Sequence, residues 1–355
     1  MSDNFIVLLA GGGTAGHIEP ALAVGEALRI RHGATLHALG TEKGLDGSII
    51  PARGVDLHMI DPVPIPRKKP LKLLAMPFKI AKSVLQARQV IKRTNAEVVF
   101  GTGGYVAAPA YLAAKSTGTP FYVLETNALA GMANKLGVKL GGTGFNAVAN
   151  SGMPGEVVGI PVRPGLGEDP NGDKAERARE QFGLDSDRPV LLVTGGSQGA
   201  ASINAALKDA RADIIAAGWQ ILHAYGKKND PFEPMEHYHA LPYIEDMPAA
   251  LAVSEGSVCR SGAMTVAEVT ASHIPAIYIP LPHGNGEQAR NCTEVVARGG
   301  AILIDDQDLT PQGLTAAVEK LRTSGDAMRA ALRTAKSGTV AEDLADRIAS
   351  DLNKN

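Results

Sequence analysis

A glycine-rich turn that recurs between a short apolar run and a helical one is the feature that most constrains this chain. Near the N-terminus Phe5–Ala10 reads as a buried strand, Gly11-Gly12-Gly13-Thr14-Ala15-Gly16-His17 follows at once, and Ile18–Ile30 has helical spacing. The pattern returns at Pro189–Thr194, Gly195-Gly196-Ser197-Gln198-Gly199-Ala200 and a further helical stretch. A third turn, Gly101-Thr102-Gly103-Gly104-Tyr105, follows Val98–Phe100. Such a turn lets backbone approach a ligand and aims the helix N–H groups at an anion. Two such modules in separate halves predict two nucleotide-binding-type domains, with chemistry where they meet.

The rest of the chain agrees. Strands are expected at Thr35–Leu39, Val55–Ile60, Phe121–Leu124 and Val157–Val158, then at Val190–Thr194, Gln220–Ala224, Ser257–Cys259, Ala276–Tyr278 and Ala301–Leu303. Helical patterns fill most gaps, which predicts an α/β protein with parallel, doubly wound sheets covered on both faces. A chain of 355 residues is too long for one ordinary core. The boundary is expected around Gly159–Gly165, with domains at 1–163 and 164–338 and a last helix at 339–355. Near the end, helices are expected at Gly313–Leu321, Asp326–Ala335 and Val340–Leu352, with Thr310 as N-cap before Pro311.

Composition excludes several classes. Two cysteines, Cys259 and Cys292, make neither a disulfide framework nor a zinc site, and suggest a reducing cytoplasm. No secretory signal precedes the first strand, and no apolar run approaches the ~18 residues of a membrane span. The net charge of −2 hides an asymmetry: Val63–Ala96 contains no acid and nine bases, among them Lys68, Lys69 and Lys72. Apolar Leu73, Leu74, Met76, Phe78 and Ile80 interleave with these lysines. Two readings are open, shallow insertion into an anionic bilayer surface and a plain solvated helix. A single aromatic in the segment gives little to stack nucleic-acid bases.

The candidate sites each carry a bland alternative. Gly11-x-Gly13-x-x-Gly16 matches the dinucleotide fingerprint, but a dehydrogenase should place an acid at the end of the second strand, where Leu39-Gly40-Thr41 stands with Glu42 just beyond. His17 opens the following helix, whose positive end favours a neutral ring able to accept a proton from a sugar hydroxyl; a capping histidine is the alternative. Cys259-Arg260-Ser261-Gly262-Ala263-Met264-Thr265-Val266-Ala267-Glu268 is a third strand–turn–helix unit, suited to a diphosphate. Glu268 could accept hydrogen bonds from ribose hydroxyls or simply lie on a solvated face. Gln288 belongs to the carboxyl edge of the second sheet. Asp306-Gln307-Asp308 reads as a metal-binding pair or as the approach to a helix start.

Taken in order, these residues resemble the MurG family of bacterial lipid II-forming glycosyltransferases over essentially the whole chain. The resemblance rests on Gly12–His17, Gly103-Gly104-Tyr105-Val106, Glu125-Thr126-Asn127, Gly195–Ala200, Arg260–Glu268 and Glu287-Gln288. Ala15, Leu124 and Glu287 stand where the family usually has glycine, histidine and glutamine. The resemblance implies a GT-B architecture of two Rossmann-like domains facing a central cleft, with the last helix returning to the N-terminal domain. It implies transfer of N-acetylglucosamine from UDP-N-acetylglucosamine to the C4 hydroxyl of undecaprenyl-pyrophosphoryl-N-acetylmuramyl-pentapeptide, with inversion, in peptidoglycan synthesis.

By the same resemblance His17 is the candidate base and Glu125 its rival. Thr14, Ala15, Gly16, Asn127, Arg163, Ser197, Ile244, Ala263 to Glu268 and Gln288 bind the donor, and Gly13, Gly103, Gly104 and Tyr105 the acceptor. Lys68, Lys69, Lys72, Leu73, Leu74 and Phe78 meet the membrane. No metal or other cofactor is expected. The expected partners are the two substrates, anionic lipids of the inner leaflet and the cell-wall and division machinery, at the cytoplasmic face of the membrane. A nucleotide-sugar epimerase of the same fold, an NAD(P)-dependent oxidoreductase and a non-catalytic scaffold are the rival readings.

Overall fold

The computed structural model describes residues 5–42, 44–62, 76–163, 166–167, 169, 171–196, 198–282, 286–334 and 339–354. The chain divides into two compact units, Met1–Pro164 with Gly338–Asn355, and Gly165–Ser337.

Unit 1 contains β1 (Ile6–Gly11), α1 (Ala15–His32), β2 (Thr35–Gly40), α2 (Asp46–Ala52), β3 (Asp56–Met59), α3 (Met76–Thr94), β4 (Val98–Gly103), α4 (Ala107–Thr117), β5 (Phe121–Glu125), α5 (Met132–Lys139), β6 (Thr143–Asn146) and β7 (Glu156–Val157). Unit 2 contains α6 (Asp173–Phe182), β8 (Val190–Thr194), α7 (Ala201–Ala216), β9 (Gln220–Ala224), β10 (Tyr238–Leu241), α8 (Met247–Val253), β11 (Gly256–Cys259), α9 (Ala263–Ala271), β12 (Ala276–Tyr278), α10 (Glu287–Asn291), α11 (Thr293–Ala297), β13 (Ala301–Leu303) and α12 (Pro311–Arg333). The last helix, α13 (Val340–Leu352), belongs to unit 1.

Both sheets are parallel. Their strand orders are β3-β2-β1-β4-β5-β6-β7 and β10-β9-β8-β11-β12-β13. The order reverses between β1 and β4 in the first and between β8 and β11 in the second. At such a switch point two consecutive loops diverge at the carboxyl edge and open room for a ligand. β1, β4, β5 and β8 are wholly or almost wholly buried, as strands covered on both faces must be.

Local chemistry sets the helix ends. α1 stops at Gly33, whose left-handed backbone (φ 68°) lets its own N–H reach the Arg29 carbonyl and the Ala34 N–H reach the Leu28 carbonyl. α12 starts at Pro311, with the Thr310 hydroxyl accepting the Gly313 N–H at 3.0 Å. α13 buries Ala341, Leu344, Ala345, Ile348 and Ala349, one stripe at helical spacing, in the same core as Ile18, Ala21, Leu22 and Leu28 of α1. Arg31 clamps Asp346 at 2.9 and 2.7 Å across this contact.

One helix and two strands depart from expectation. Residues 311–333 form one helix rather than two, because the apolar stripe Leu314, Val318, Leu321, Met328 and Leu332 keeps its phase through buried Gly325. β6 and β10 were not expected. Thr-Gly-Phe-Asn and Tyr-His-Ala-Leu lack an apolar run, and they are strands because the edges of β5 and β9 offer backbone partners. Among the described residues, no helix is long and apolar enough to cross a membrane.

Candidate active site

The unit 1 site lies at the switch point between β1 and β4. The register between them shifts so that Gly101 faces Ala10 and Gly103 faces Gly11, leaving Thr102 as an extra residue. A bulge of this kind re-aims backbone and side chain next to a site. The Thr102 carbonyl accepts from His17 Nδ1 at 3.0 Å, and the Thr102 hydroxyl donates to the His17 carbonyl at 2.5 Å. A carbonyl only accepts, so the neutral ring carries its proton on Nδ1 and its lone pair on Nε2. Gly103 makes room for the ring: a Cβ there would come within 3.0 Å of His17 Nδ1. Gly104 lets the two turns meet, since a Cβ on it would sit 2.0 Å from the Gly12 carbonyl oxygen. Gly12 N–H reaches the Gly103 carbonyl at 3.4 Å.

Glu125, the last residue of β5, is buried with both carboxylate oxygens engaged. Oε1 accepts from the Asn127 backbone N–H (2.8 Å) and side-chain amide (3.2 Å). Oε2 accepts from the Gly131 N–H and Asn134 Nδ2, each at 2.9 Å. Asn134 Nδ2 also lies 3.5 Å from the Thr102 carbonyl that receives His17. Glu125 is thus built as an anchor whose bonds run through Asn134 toward His17. Thr14 and Tyr105 are exposed, Ala15 and Gly16 half-buried at the start of α1. Arg163 pairs with Glu19 of α1 at 3.5 Å.

In unit 2 the β8–α7 and β11–α9 turns leave adjacent strands, since Thr194 pairs with Cys259 in register. Gly199 approaches the Tyr225 carbonyl so closely that a Cβ would sit 2.1 Å from the oxygen. The side-chain amides of Asn204 and Asn229 donate to that carbonyl at 2.9 and 2.8 Å. Behind Asn204 lies His223, whose Nε2–H donates to Asn204 Oδ1 (3.1 Å) while Nδ1 accepts the Tyr238 hydroxyl (2.7 Å). Burial first, and then the Arg211 charge, push the His223 pKa down to about 4.

The start of α9 carries no acid in its first turn. Ala263, Met264 and Val266 are buried, Thr265 and Ala267 half-buried. Glu268 is 9% exposed, so it is not on a solvated face. Ile244 is buried in the loop before α8, and Gln288 Oε1 accepts the Leu281 N–H at 3.0 Å. Arg260 ties Asp306, Ser202 Oγ (2.9 Å) and the Ile279 and Pro280 carbonyls (3.1 Å each) into one cluster. Asp306 is therefore held by an arginine and a serine. Burial pushes the Cys259 thiol up to about 12, which makes it a packing residue rather than a nucleophile. Ser197, Lys68, Lys69, Lys72, Leu73 and Leu74 lie outside the described residues.

Sequence reasoning missed Thr102, Asn134 and Asp46. Asp46 is buried just past β2 and accepts the Gly13 N–H at 2.9 and 3.1 Å. An acid past the second strand is visible in the sequence, but the dinucleotide pattern points to Glu42 and to a ribose rather than to Asp46 and the glycine turn.

Comparison with known proteins places the chain in a class first. Residues 7–141 match the glycosyltransferase family 28 N-terminal domain and residues 190–348 the family 28 C-terminal domain. The chain belongs to glycosyltransferase family 28. Within it, the chain is 58% identical over 97% of its length to a Corynebacterium efficiens protein, of which it covers 96%. It is 51% identical to one from Corynebacterium diphtheriae, with 96% of each chain covered. Both relatives are named UDP-N-acetylglucosamine–N-acetylmuramyl-(pentapeptide) pyrophosphoryl-undecaprenol N-acetylglucosamine transferase. The crystal structure of Acinetobacter baumannii MurG matches with a TM-score of 0.73 at 27% identity, covering 98% of this chain and 99% of that one. The calicheamicin glycosyltransferase CalG4, at 18% identity and a TM-score of 0.65, shares the fold.

The His223 cluster gives a signed pH prediction. Between pH 6.5 and about 4 the unfolded chain protonates this ring while the folded one resists. Unit 2 should therefore lose up to about 3 kcal/mol of stability as pH falls through that window, and lose no more from this group below it. The single tryptophan, Trp219, is buried in the unit 2 core and reports unfolding in urea. Wild type should lose more than His223→Asn between pH 6.5 and 4.5; equal losses would remove His223 as the cause.

Proposed function

We propose that this protein transfers N-acetylglucosamine from UDP-N-acetylglucosamine to the C4 hydroxyl of the muramyl sugar of undecaprenyl-pyrophosphoryl-N-acetylmuramyl-pentapeptide, with inversion. Unit 1 takes the lipid-linked acceptor and unit 2 the UDP-sugar. The observation that carries the mechanism is His17, whose Nδ1–H bond to Thr102 puts a basic lone pair on Nε2 at the switch point of unit 1. The acceptor oxygen attacks the anomeric carbon, the bond from that carbon to the UDP oxygen breaks with its electrons leaving on UDP, and the hydroxyl proton passes to Nε2. Glu125 is the weaker candidate, because four donors of its own neighbourhood occupy its oxygens.

The remaining roles follow the family pattern. Glu268 holds the ribose, the Ile244 backbone reads uracil, and Asn127 and Gln288 meet donor sugar hydroxyls. Arg163, Ser197 and Thr14 to Gly16 support the nucleotide, and Gly13, Gly103, Gly104 and Tyr105 border the acceptor. The N–H groups after Ser261, at the opening of α9, stabilise the charge developing on the leaving diphosphate, and Ala263 to Ala267 line the donor.

UDP release, measured with and without lipid-linked acceptor, tests the whole reading: release should require the acceptor. An epimerase would turn the donor over alone, and a scaffold would bind it without release. His17→Ala should lower turnover about 10²–10⁴-fold, whereas near-normal turnover would move the base to Glu125.

We further propose that the diphosphate is stabilised by these N–H groups without a required metal. Activity should persist in excess chelator; abolition reversed by magnesium would refute this.

The protein is proposed to act peripherally on the anionic cytoplasmic face of the bacterial membrane, near the cell-wall and division machinery. On α3, Phe78 is 80% and Leu85 57% exposed, seven residues apart on one face with Lys82 between them. Charge reversal at Lys68, Lys69 and Lys72 should weaken binding to anionic liposomes and spare UDP binding. Unchanged liposome binding would return the segment to a solvated role.

A further inference from the structure

We propose that Asp46 is a positioning residue for catalysis, fixing the β1–α1 turn from which His17 projects; this rests on the reading that unit 1 activates the acceptor. Asp46 is the first residue of α2 and has no exposed surface. Its Oδ1 accepts the Gly13 N–H at 2.9 Å. Its Oδ2 lies 3.1 Å from the same N–H and 3.3 Å from both the Thr41 N–H and the Thr41 hydroxyl. The neighbouring Leu45 N–H donates to the Gly13 carbonyl at 3.3 Å. The β2–α2 loop thus grips Gly13 by both of its backbone polar groups, one residue before the α1 cap, Thr14.

The space around the carboxylate is built for it. A Cβ at Gly12 would come within 2.9 Å of Asp46 Oδ1, one at Gly44 within 2.2 Å of Oδ2, and one at Gly40 within 2.7 Å of Asp46 Cβ. Gly12, inside the Gly11-x-Gly13-x-x-Gly16 turn, is therefore shaped around an internal carboxylate. That carboxylate occupies the Gly13 N–H that a bound phosphate would otherwise use.

Asp46→Asn tests the role with little change in shape. If the amide oxygen keeps the Gly13 bond, the amide nitrogen faces the Thr41 N–H, donor against donor. Turnover with the lipid-linked acceptor should fall about 10–100-fold, by a larger factor than KM for UDP-N-acetylglucosamine rises. Exchange of the Gly13 amide hydrogen should quicken by about tenfold or more. Thr41→Val, which removes only the hydroxyl donor, should give a smaller loss of the same kind and serves if Asp46→Asn does not fold. Unchanged turnover alongside faster exchange would overturn the catalytic role, and unchanged exchange would overturn the grip itself. A loss of turnover matched by a lowered urea midpoint of unfolding would assign the effect to general destabilisation and also overturn the proposal. Wild-type protein that releases no UDP on adding acceptor would instead sink the assignment of function, and Gly13 exchange would still report the grip.

Discussion

The geometry of the switch point in unit 1 depends on one close approach, that of the β1–α1 turn to the β4–α4 turn. Gly12 and Gly103 meet through a backbone hydrogen bond, and Gly104 lies where any side chain would collide with the Gly12 carbonyl. Parallel pairing of β1 with β4 brings the two turns to the same edge. The bulge at Thr102 then turns a carbonyl onto His17, and that carbonyl decides which ring nitrogen holds the proton. Without the approach there is a histidine at a helix start; with it the ring is held by the Thr102 carbonyl in one orientation.

Around this contact the protein uses buried polar groups as rigid supports. Asp46 holds the first turn from beneath, and Glu125 holds the loop after β5 through Asn127, Gly131 and Asn134. Both carboxylates are satisfied by several donors, the condition under which a buried charge is tolerated. Unit 2 follows the same plan with other residues: His223, Asn204 and Asn229 fix the Tyr225 carbonyl against the glycine turn after β8. Arg260 gathers the ends of β11 and β12 with Ser202 and Asp306.

The dinucleotide reading fails for a physical reason. In a dinucleotide site, an acid near the end of the second strand faces a ribose and the glycine N–H faces a phosphate. Here the buried acid past that strand is Asp46. It turns inward, and it takes the glycine N–H for itself. The spacing of glycines is common to both uses, so spacing could not separate them.

What the sequence determined by itself is what short stretches of chain encode. Apolar runs, glycine turns and helix stripes specify two parallel sheets, the cap at Thr310, and the presence of His17 at the start of α1. The Thr102–His17 pair spans 85 residues, Asp46–Gly13 spans 33 and Asn134–Thr102 spans 32. No local pattern encodes such contacts, because they exist only once strand order has folded distant loops to one edge. For the same reason β6 and β10 were invisible: their residues are strands on account of their neighbours, not of their own side chains. The tertiary structure alone decided that Glu268 is buried, that Asp306 is bound by Arg260, and that the first glycine turn closes over a carboxylate of its own.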